Sequence, residues 1–204
     1  MLQQCKRLGF GAMVGSVLLL SAEASHAQAF YESGQVSVAL ERAFGIHHVN
    51  SEVDRPGAPG DEEFSATNVG IGWGGALSPF HYTRAAIDGF ISDQLSLGGS
   101  LGFFSQSGDW NNSGFLLSPR IGYAIPLSRA FTFWPRGGLT YFDIEQDSEL
   151  ALTGEAMFVA SPQPSWGILF GLTLDLTVAG DAANDGDRSG MAIGFPAVGL
   201  MGTF

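Results

Sequence analysis

The sequence predicts an all-β protein that crosses a membrane as an up-and-down antiparallel barrel. Between Gly114 and Phe142 every second residue is apolar, interrupted only by a short connection, and the residues between them are mostly small, with one arginine on each side of that connection. A period of two is typical of strands. A soluble barrel would turn its charged face outwards, whereas a barrel in lipid has an apolar outer band between aromatic belts. The continuous apolar face therefore favours a membrane barrel.

The first 27 residues have the features of a secretory signal peptide. Two basic residues precede an apolar run from Leu8 to Leu20, and small and polar residues follow it. The run is shorter than the ~20 apolar residues that a spanning helix needs, which disfavours a membrane anchor. Cleavage is expected after Ala27, with Ala29 as the alternative. The barrel domain is then predicted to comprise residues 28–204.

The chain that remains after cleavage is strongly acidic. It has seven arginines, no lysine and nineteen acidic residues, a net charge of −12. Nucleic-acid binding depends on clustered cations, so this composition argues against a nucleic-acid partner. The single cysteine, Cys5, lies in the leader, which excludes disulfides and cysteine-ligated metals from the mature chain. A soluble domain normally carries surface lysines, whereas a wall that faces lipid has little surface for them.

Eight strands are predicted, and the first three follow from simple alternation. They span 34–44, 82–91, 95–106, 114–125, 131–142, 150–160, 166–177 and 191–204. In the first strand, apolar residues alternate with small or polar ones. The second places Ile87 opposite Asp88, and the third places leucines opposite serines and glycines.

The remaining five strands follow from the same period. The strands 114–125 and 131–142 are joined by a tight connection, which predicts a hairpin. The strand 150–160 has Leu152 and Phe158 on one face and Glu155 on the other. In 166–177, large apolar residues alternate with small residues and Asp175, and the last strand ends the chain at Phe204.

Connection lengths favour eight strands over ten. Bacterial barrels have an even number of strands, short periplasmic turns and long outer loops. The short connections are predicted at 92–94, 126–129 and 161–165, and the long ones at 45–81, 107–113, 143–149 and 179–189. The segment 64–76 alternates like a strand, but eight strands result only if it belongs to the first outer loop. The acidic loops are then expected outside, and protease on whole cells is expected to cut first between Gly45 and Gly60.

The leader, the alternating strands and the terminal Phe204 resemble the small bacterial outer-membrane barrels of the OmpA-like and OmpX-like type. The resemblance implies a location in the bacterial outer membrane, with lipid and lipopolysaccharide as surroundings. Val198, Leu200 and Phe204 resemble the signal that the barrel-assembly machinery recognises in its clients, although Gly202 stands where a larger residue is usual. The barrel-assembly machinery is therefore an expected partner.

Charged residues of inward parity predict a network inside the barrel. They are Glu41, Arg84, Asp88, Arg120, Arg136, Glu155 and Asp175. The interior of an eight-stranded barrel is only wide enough to be filled by side chains, so these charges must be paired to offset their desolvation. The favoured interpretation is a structural network that closes the lumen. The alternative is a narrow ion path or gate.

Other polar clusters give weaker signals for ligands. His47 and His48 lie near Glu52 and Asp54, but neighbouring residues on a strand point to opposite sides, so no metal site is assigned. Asp181, Asn184, Asp185 and Asp187 form an acidic loop without the glutamate of an EF-hand. Divalent cations are expected to associate with the acidic loops without a designed site, and no cofactor is predicted.

No catalytic constellation is found in the sequence, and no enzyme activity is predicted. The three histidines after the leader all fall in or near the first long connection, without a matching serine and acid. The favoured function is an outer-membrane barrel of structural or surface-interaction type with a closed lumen. The alternatives are a small pore or transporter, and an enzyme that modifies outer-membrane lipid.

Overall fold

The computed structural model describes residues 31–54, 62–71, 79–106, 112–144, 147–163, 165–182 and 186–204. The predicted signal peptide lies outside these ranges and remains a prediction. The strands are β1 (Val36–Asp54), β2 (Glu62–Ile71), β3 (Arg84–Phe90), β4 (Leu95–Gln106), β5 (Asn112–Tyr123), β6 (Ile125–Pro126), β7 (Phe131–Ile144), β8 (Asp147–Gln163), β9 (Trp166–Ala182) and β10 (Gly186–Thr203). A 3-10 turn, Pro79–His81, precedes β3. The described parts of the chain contain no helix of the length and hydropathy that would span a bilayer.

Eight antiparallel strands close into a barrel, which confirms the predicted fold class. The order around the wall is β10-β9-β8-β7-β5-β4-β3-β1, and β1 pairs with β10 to close it. At the closure, Val36 and Phe204 exchange backbone hydrogen bonds of 3.0 and 2.9 Å. We call the end with this closure and the short turns the periplasmic end, and the opposite end the outer end.

The two faces of the wall have opposite chemistry. The outward side chains include large exposed apolar residues such as Ile87 (58% exposed), Phe103 (63%) and Leu200 (56%). The inward side chains include buried arginines, aspartates and glutamates. An exterior of this kind is stable in hydrocarbon and not in water, so the barrel is a membrane barrel.

Strand β2 continues the line of β3 along the outer half of β1. β1 pairs with β3 from Val36 to Glu41 and with β2 from Phe44 to Val53. Both β2 and β3 run antiparallel to β1 and pair with the same edge of it. They therefore share one position in the wall, and the chain departs from the wall between the end of β2 and the start of β3. The segment 64–76 therefore contains a strand but adds no ninth member to the barrel, and the count of eight is confirmed.

A bulge in β1 marks the point where its neighbour changes. The register with β10 shifts between Leu40 and Phe44, and Arg42 has a positive φ of 53°. A bulge inserts one residue into the alternation, so Glu41 and Arg42 are both buried although they are adjacent in sequence. A strict period of two cannot place two adjacent residues on the inner face, which is why the predicted set of inward charges contains Glu41 and lacks Arg42.

Three of the predicted outer loops are largely strand. β1 continues through Gly45–Asp54, where it pairs with β2 and β10. β7 ends at Ile144 and β8 begins at Asp147, while β9 ends at Ala182 and β10 begins at Gly186. The predicted loops 143–149 and 179–189 are therefore wrong over most of their length, and so is the predicted connection 45–81, in which 45–54 and 62–71 are strand. Beyond the lipid a strand needs no apolar exterior, so polar residues there do not indicate a loop.

Limited proteolysis of whole cells tests the orientation of the barrel. We expect Gly45–Asp54 to resist a broad-specificity protease, because pairing with β2 and β10 occupies the backbone N–H and C=O groups that a protease would bind. Cleavage is expected in the connection between Asp54 and Glu62, and it is measured by mass spectrometry of the fragments. The exposed turn at 127–130 is the internal control. Cleavage in that turn on intact cells would contradict the orientation.

Candidate functional site in the barrel lumen

The lumen is filled by three layers of side chains. A periplasmic apolar layer contains Phe90, Trp134 and Met157, and an outer apolar layer contains Phe80 and Phe142. Between them lies a charged layer, because Arg136 stands between Trp134 and Phe142 on the inward face of β7. Trp134 donates from Nε1 to Ser96 Oγ at 3.2 Å, and its ring lies 4.7 Å from the Arg136 guanidinium.

Arg120 is the centre of the charged layer. Its Nη1 lies 2.6 Å from Glu41 Oε2 and its Nη2 lies 2.5 Å from Asp88 Oδ2. The Nε of Arg120 donates to Asp88 Oδ1 at 3.0 Å, which makes the contact with Asp88 bidentate. Bidentate, charge-assisted contacts are among the strongest hydrogen bonds. The Arg120 side chain, which comes from β5, is therefore held firmly by carboxylates of β1 and β3.

Arg136 links the same network to β8. Its Nη1 donates to Glu41 Oε1 at 2.6 Å, and its Nη2 lies 2.8 Å from Glu155 Oε2. Arg120 Nη1 is 3.5 Å from that same Glu155 oxygen. The side chains of all four residues are at most 3% exposed, so water screens the interaction little.

Arg42 joins the network from the bulge, and sequence parity missed it. Its Nη1 lies 2.9 Å from Asp175 Oδ2 and its Nη2 lies 3.2 Å from Glu155 Oε1. Asp175 Oδ1 accepts a hydrogen bond of 2.7 Å from Thr153. The layer then contains four arginines and four carboxylates, where parity alone assigned three cations to four anions. The charges of the layer are therefore balanced.

Arg84 differs from the other three arginines. It is 1% exposed, and its Nη2 donates to the Phe80 carbonyl at 2.6 Å, while its Nε and Nη1 have no hydrogen-bond partner among the described residues. Arg42 Nη1 donates to the same Phe80 carbonyl. Two arginines therefore hold the turn Pro79–His81 inside the barrel, and the Phe80 ring packs edge-on against Phe142 at 5.2 Å.

Glycines flank Arg120 on both neighbouring strands. In the strand pairing, Arg120 lies opposite Gly98 of β4 on one side and opposite Gly138 of β7 on the other. A Cβ on Gly138 would overlap the Pro119 carbonyl oxygen and lie 2.8 Å from Arg120 Cα, and a Cβ on Gly98 would lie 2.6 Å from Asp88 Cα. The neighbouring strands therefore approach so closely at these two positions that glycine fits and a larger residue would not.

Two of the three described histidines contact each other inside the barrel, and the third faces the other way. His47 and His81 are buried and stack with ring centroids 4.0 Å apart, while His48 lies on the other face and is within 2.8 Å of Thr67 Oγ1. Over the described ranges, no three His, Cys, Asp or Glu side chains are placed to hold a metal ion. Of the acidic loop, Asp181 and Asp187 pair across β9 and β10, and Asn184 and Asp185 lie outside the described residues.

The residues of the expected assembly signal face outwards, Val198 and Leu200 in β10 and Phe204 directly after it. Leu200 is 56% exposed and Phe204 is 82% exposed, and Val198 shares their parity on the strand. Recognition of these residues by the assembly machinery remains a prediction.

The chain matches no protein-family model and no curated protein. Solved structures give matches of low identity. The N-terminal β-barrel domain of Pseudomonas aeruginosa OprF has a TM-score of 0.46 at 11% identity, over 84% of this chain and 98% of that one. Neisserial surface protein A has a TM-score of 0.46 at 8% identity, and the match covers 84% of this chain and 100% of that one. The outer membrane protein OprG from Pseudomonas aeruginosa has a TM-score of 0.44 at 10% identity, and the match covers 87% of this chain and 99% of that one.

The class of protein follows from the barrel's own architecture. A closed wall of antiparallel strands, even in number, with an apolar exterior and a polar interior, is how proteins cross the bacterial outer membrane. The chain is therefore a small outer-membrane β-barrel. Its eight strands and packed lumen place it at the small end of that class.

Proposed function

We propose that the chain is a structural or surface-interaction barrel whose lumen is closed by the balanced charged layer. The supporting observation is that all four carboxylates of the layer contact arginines directly, between two apolar layers. An ion that entered would have to separate these pairs, and breaking a buried pair costs about 3–5 kcal/mol.

Surface interaction is the second part of the proposal. The charged layer is neutral, so the surplus acid of the chain lies elsewhere, and residues such as Glu52, Asp54 and Asp187 are exposed near the outer end. Lipopolysaccharide and divalent cations are the expected surroundings of such a rim. The barrel-assembly machinery is the expected partner during folding.

A catalytic role is not part of the proposal. Of the three histidines in the described chain, His47 and His81 stack on each other and His48 contacts Thr67. None of these contacts supplies the serine and carboxylate of a nucleophilic relay.

Planar-bilayer recording tests the closed lumen. We expect the purified, refolded barrel to give no stable step conductance, because side chains fill the bore at three levels. A sixteen-stranded porin inserted in the same way is the positive control, since its wide bore is water-filled. Stable steps from the wild type that change in size with Glu41→Gln would identify the lumen as an ion path and contradict the proposal.

A further inference from the structure

The outer mouth of the barrel contains a blind cavity above the Phe80 ring. Its volume is about 180 Å³, and Phe80 forms part of its lining. Because the charged layer lies below Phe80, the cavity opens towards the outer end and does not continue through the barrel.

The cavity has an apolar part and a polar part. Val49, Val53, Phe64 and Ala192 line the apolar part. Glu149, Thr177 and Arg188 line the polar part. A cavity of this kind fits a small amphipathic molecule with one polar group.

Glu149 is the feature that selects the polar group. It is only 6% exposed, and its Oε1 accepts a hydrogen bond from Thr177. Its Oε2 lies 4.0 Å from Arg188 Nη1, which is beyond hydrogen-bond distance. Among the described residues this oxygen makes no hydrogen bond, and a carboxylate oxygen beside a cavity with room for a donor is a site for a ligand N–H.

The charged groups in the polar part, together with Asp147 next to it, favour a cation. Arg188 is paired through Nη2, which lies 3.1 Å from Asp147 Oδ2, while its Nε has no hydrogen-bond partner among the described residues. The two carboxylates Asp147 and Glu149 and the one guanidinium leave a net charge of −1 beside the cavity. Phe64 and Phe80 add aromatic faces, which attract organic cations.

We propose that this cavity binds a small organic cation, a primary ammonium group on an apolar body. The ammonium group donates to Glu149 Oε2, and the apolar body packs against Phe80 and the valines of β1. The site is a receptor-like pocket and not the entrance of a pathway, so it goes beyond the closed-barrel function and does not depend on the charge balance of the layer below.

Calorimetric titration of the refolded barrel in uncharged detergent tests this site, with empty micelles as the blank. Benzylammonium is the probe, and benzyl alcohol and benzoate are its neutral and anionic counterparts. We expect saturable binding of benzylammonium, at least tenfold tighter than that of the other two. Equal binding of all three, or no saturable binding of benzylammonium, would overturn the proposal.

Variants separate the groups that carry the binding. Glu149→Gln keeps the shape and the acceptor for Thr177, and we expect it to weaken benzylammonium binding about tenfold or more. Arg188→Gln should strengthen it, because the net charge changes from −1 to −2. Asp187→Asn, on the outward face of the same strand, should leave it unchanged. Weaker binding in Arg188→Gln together with stronger binding of benzoate in Glu149→Gln would identify an anion site instead.

A cavity-filling variant keeps the test independent of Glu149. Val53 is half-buried near the open end of the cavity. We expect Val53→Trp to abolish binding while the barrel still migrates as a folded species in an unheated gel. Undiminished affinity in this folded variant would show that the probe binds elsewhere.

Discussion

Arg136→Ala should destabilise the barrel by about 3–5 kcal/mol, because removing one member of a buried ion pair leaves the others uncompensated. Arg136 contacts Glu41 at 2.6 Å and Glu155 at 2.8 Å, and both carboxylates are buried. The measurement is the temperature at which the folded species converts to the unfolded one on a denaturing gel, together with urea unfolding in detergent.

Arg129 provides the matched control for this prediction. It lies in the exposed turn 127–130, so Arg129→Ala removes the same side chain without exposing a buried carboxylate. We expect this variant to unfold like the wild type. If Arg136→Ala also unfolded like the wild type, the charged layer would contribute nothing to stability and the proposed closure would lose its basis.

Gly138→Ala should prevent the barrel from reaching its native state, or destabilise it by several kcal/mol. The added Cβ would overlap the Pro119 carbonyl and approach Arg120 Cα to 2.8 Å, and backbone atoms cannot move aside as a side-chain tip does. Overpacking of a rigid site typically costs about 1–3 kcal/mol, and here the displaced strand also carries the central arginine of the network. Refolding yield and unfolding temperature are the measurements.

Gly154→Ala is the control, because a Cβ at Gly154 would meet nothing within 4 Å. This variant should be as stable as the wild type or slightly more so, since alanine loses less backbone entropy than glycine on folding. Equal behaviour of the two alanine variants would show that the wall relaxes around Arg120 more readily than the packing suggests.

The sequence was most informative where the strands lie in lipid. There the lipid on one side and the polar lumen on the other impose a period of two on the side chains. The bounds of strands such as β5 and β7 are therefore predicted to within a few residues. The same parity places Arg84, Arg120 and Arg136 on the side of the small residues, and in the structure these side chains lie in the lumen.

The sequence was least informative beyond the lipid and at the bulge. Water accepts polar and apolar residues on a strand exterior, so Gly45–Asp54 lacked the alternation that identifies a strand. The inward position of Arg42 depends on one inserted residue, and its only signal would have been the adjacent Glu41–Arg42 pair at the end of a regular alternation. The turn around Phe80 lies inside the barrel partly because of contacts that are remote in sequence, with Arg42 and with Phe142.

The length of the strands determines which surface of the barrel is accessible from outside the cell. β1 has 19 residues, and β8, β9 and β10 have 17, 17 and 18. A tilted strand crosses the hydrocarbon in about 9–11 residues, so roughly six to ten residues of each strand lie outside it. An antibody or a phage therefore meets a paired sheet whose shape exists only while the strands are in register. A linear peptide copied from Gly45–Asp54 should not compete for such an antibody, and immunity raised against the denatured chain should fail to recognise the living cell.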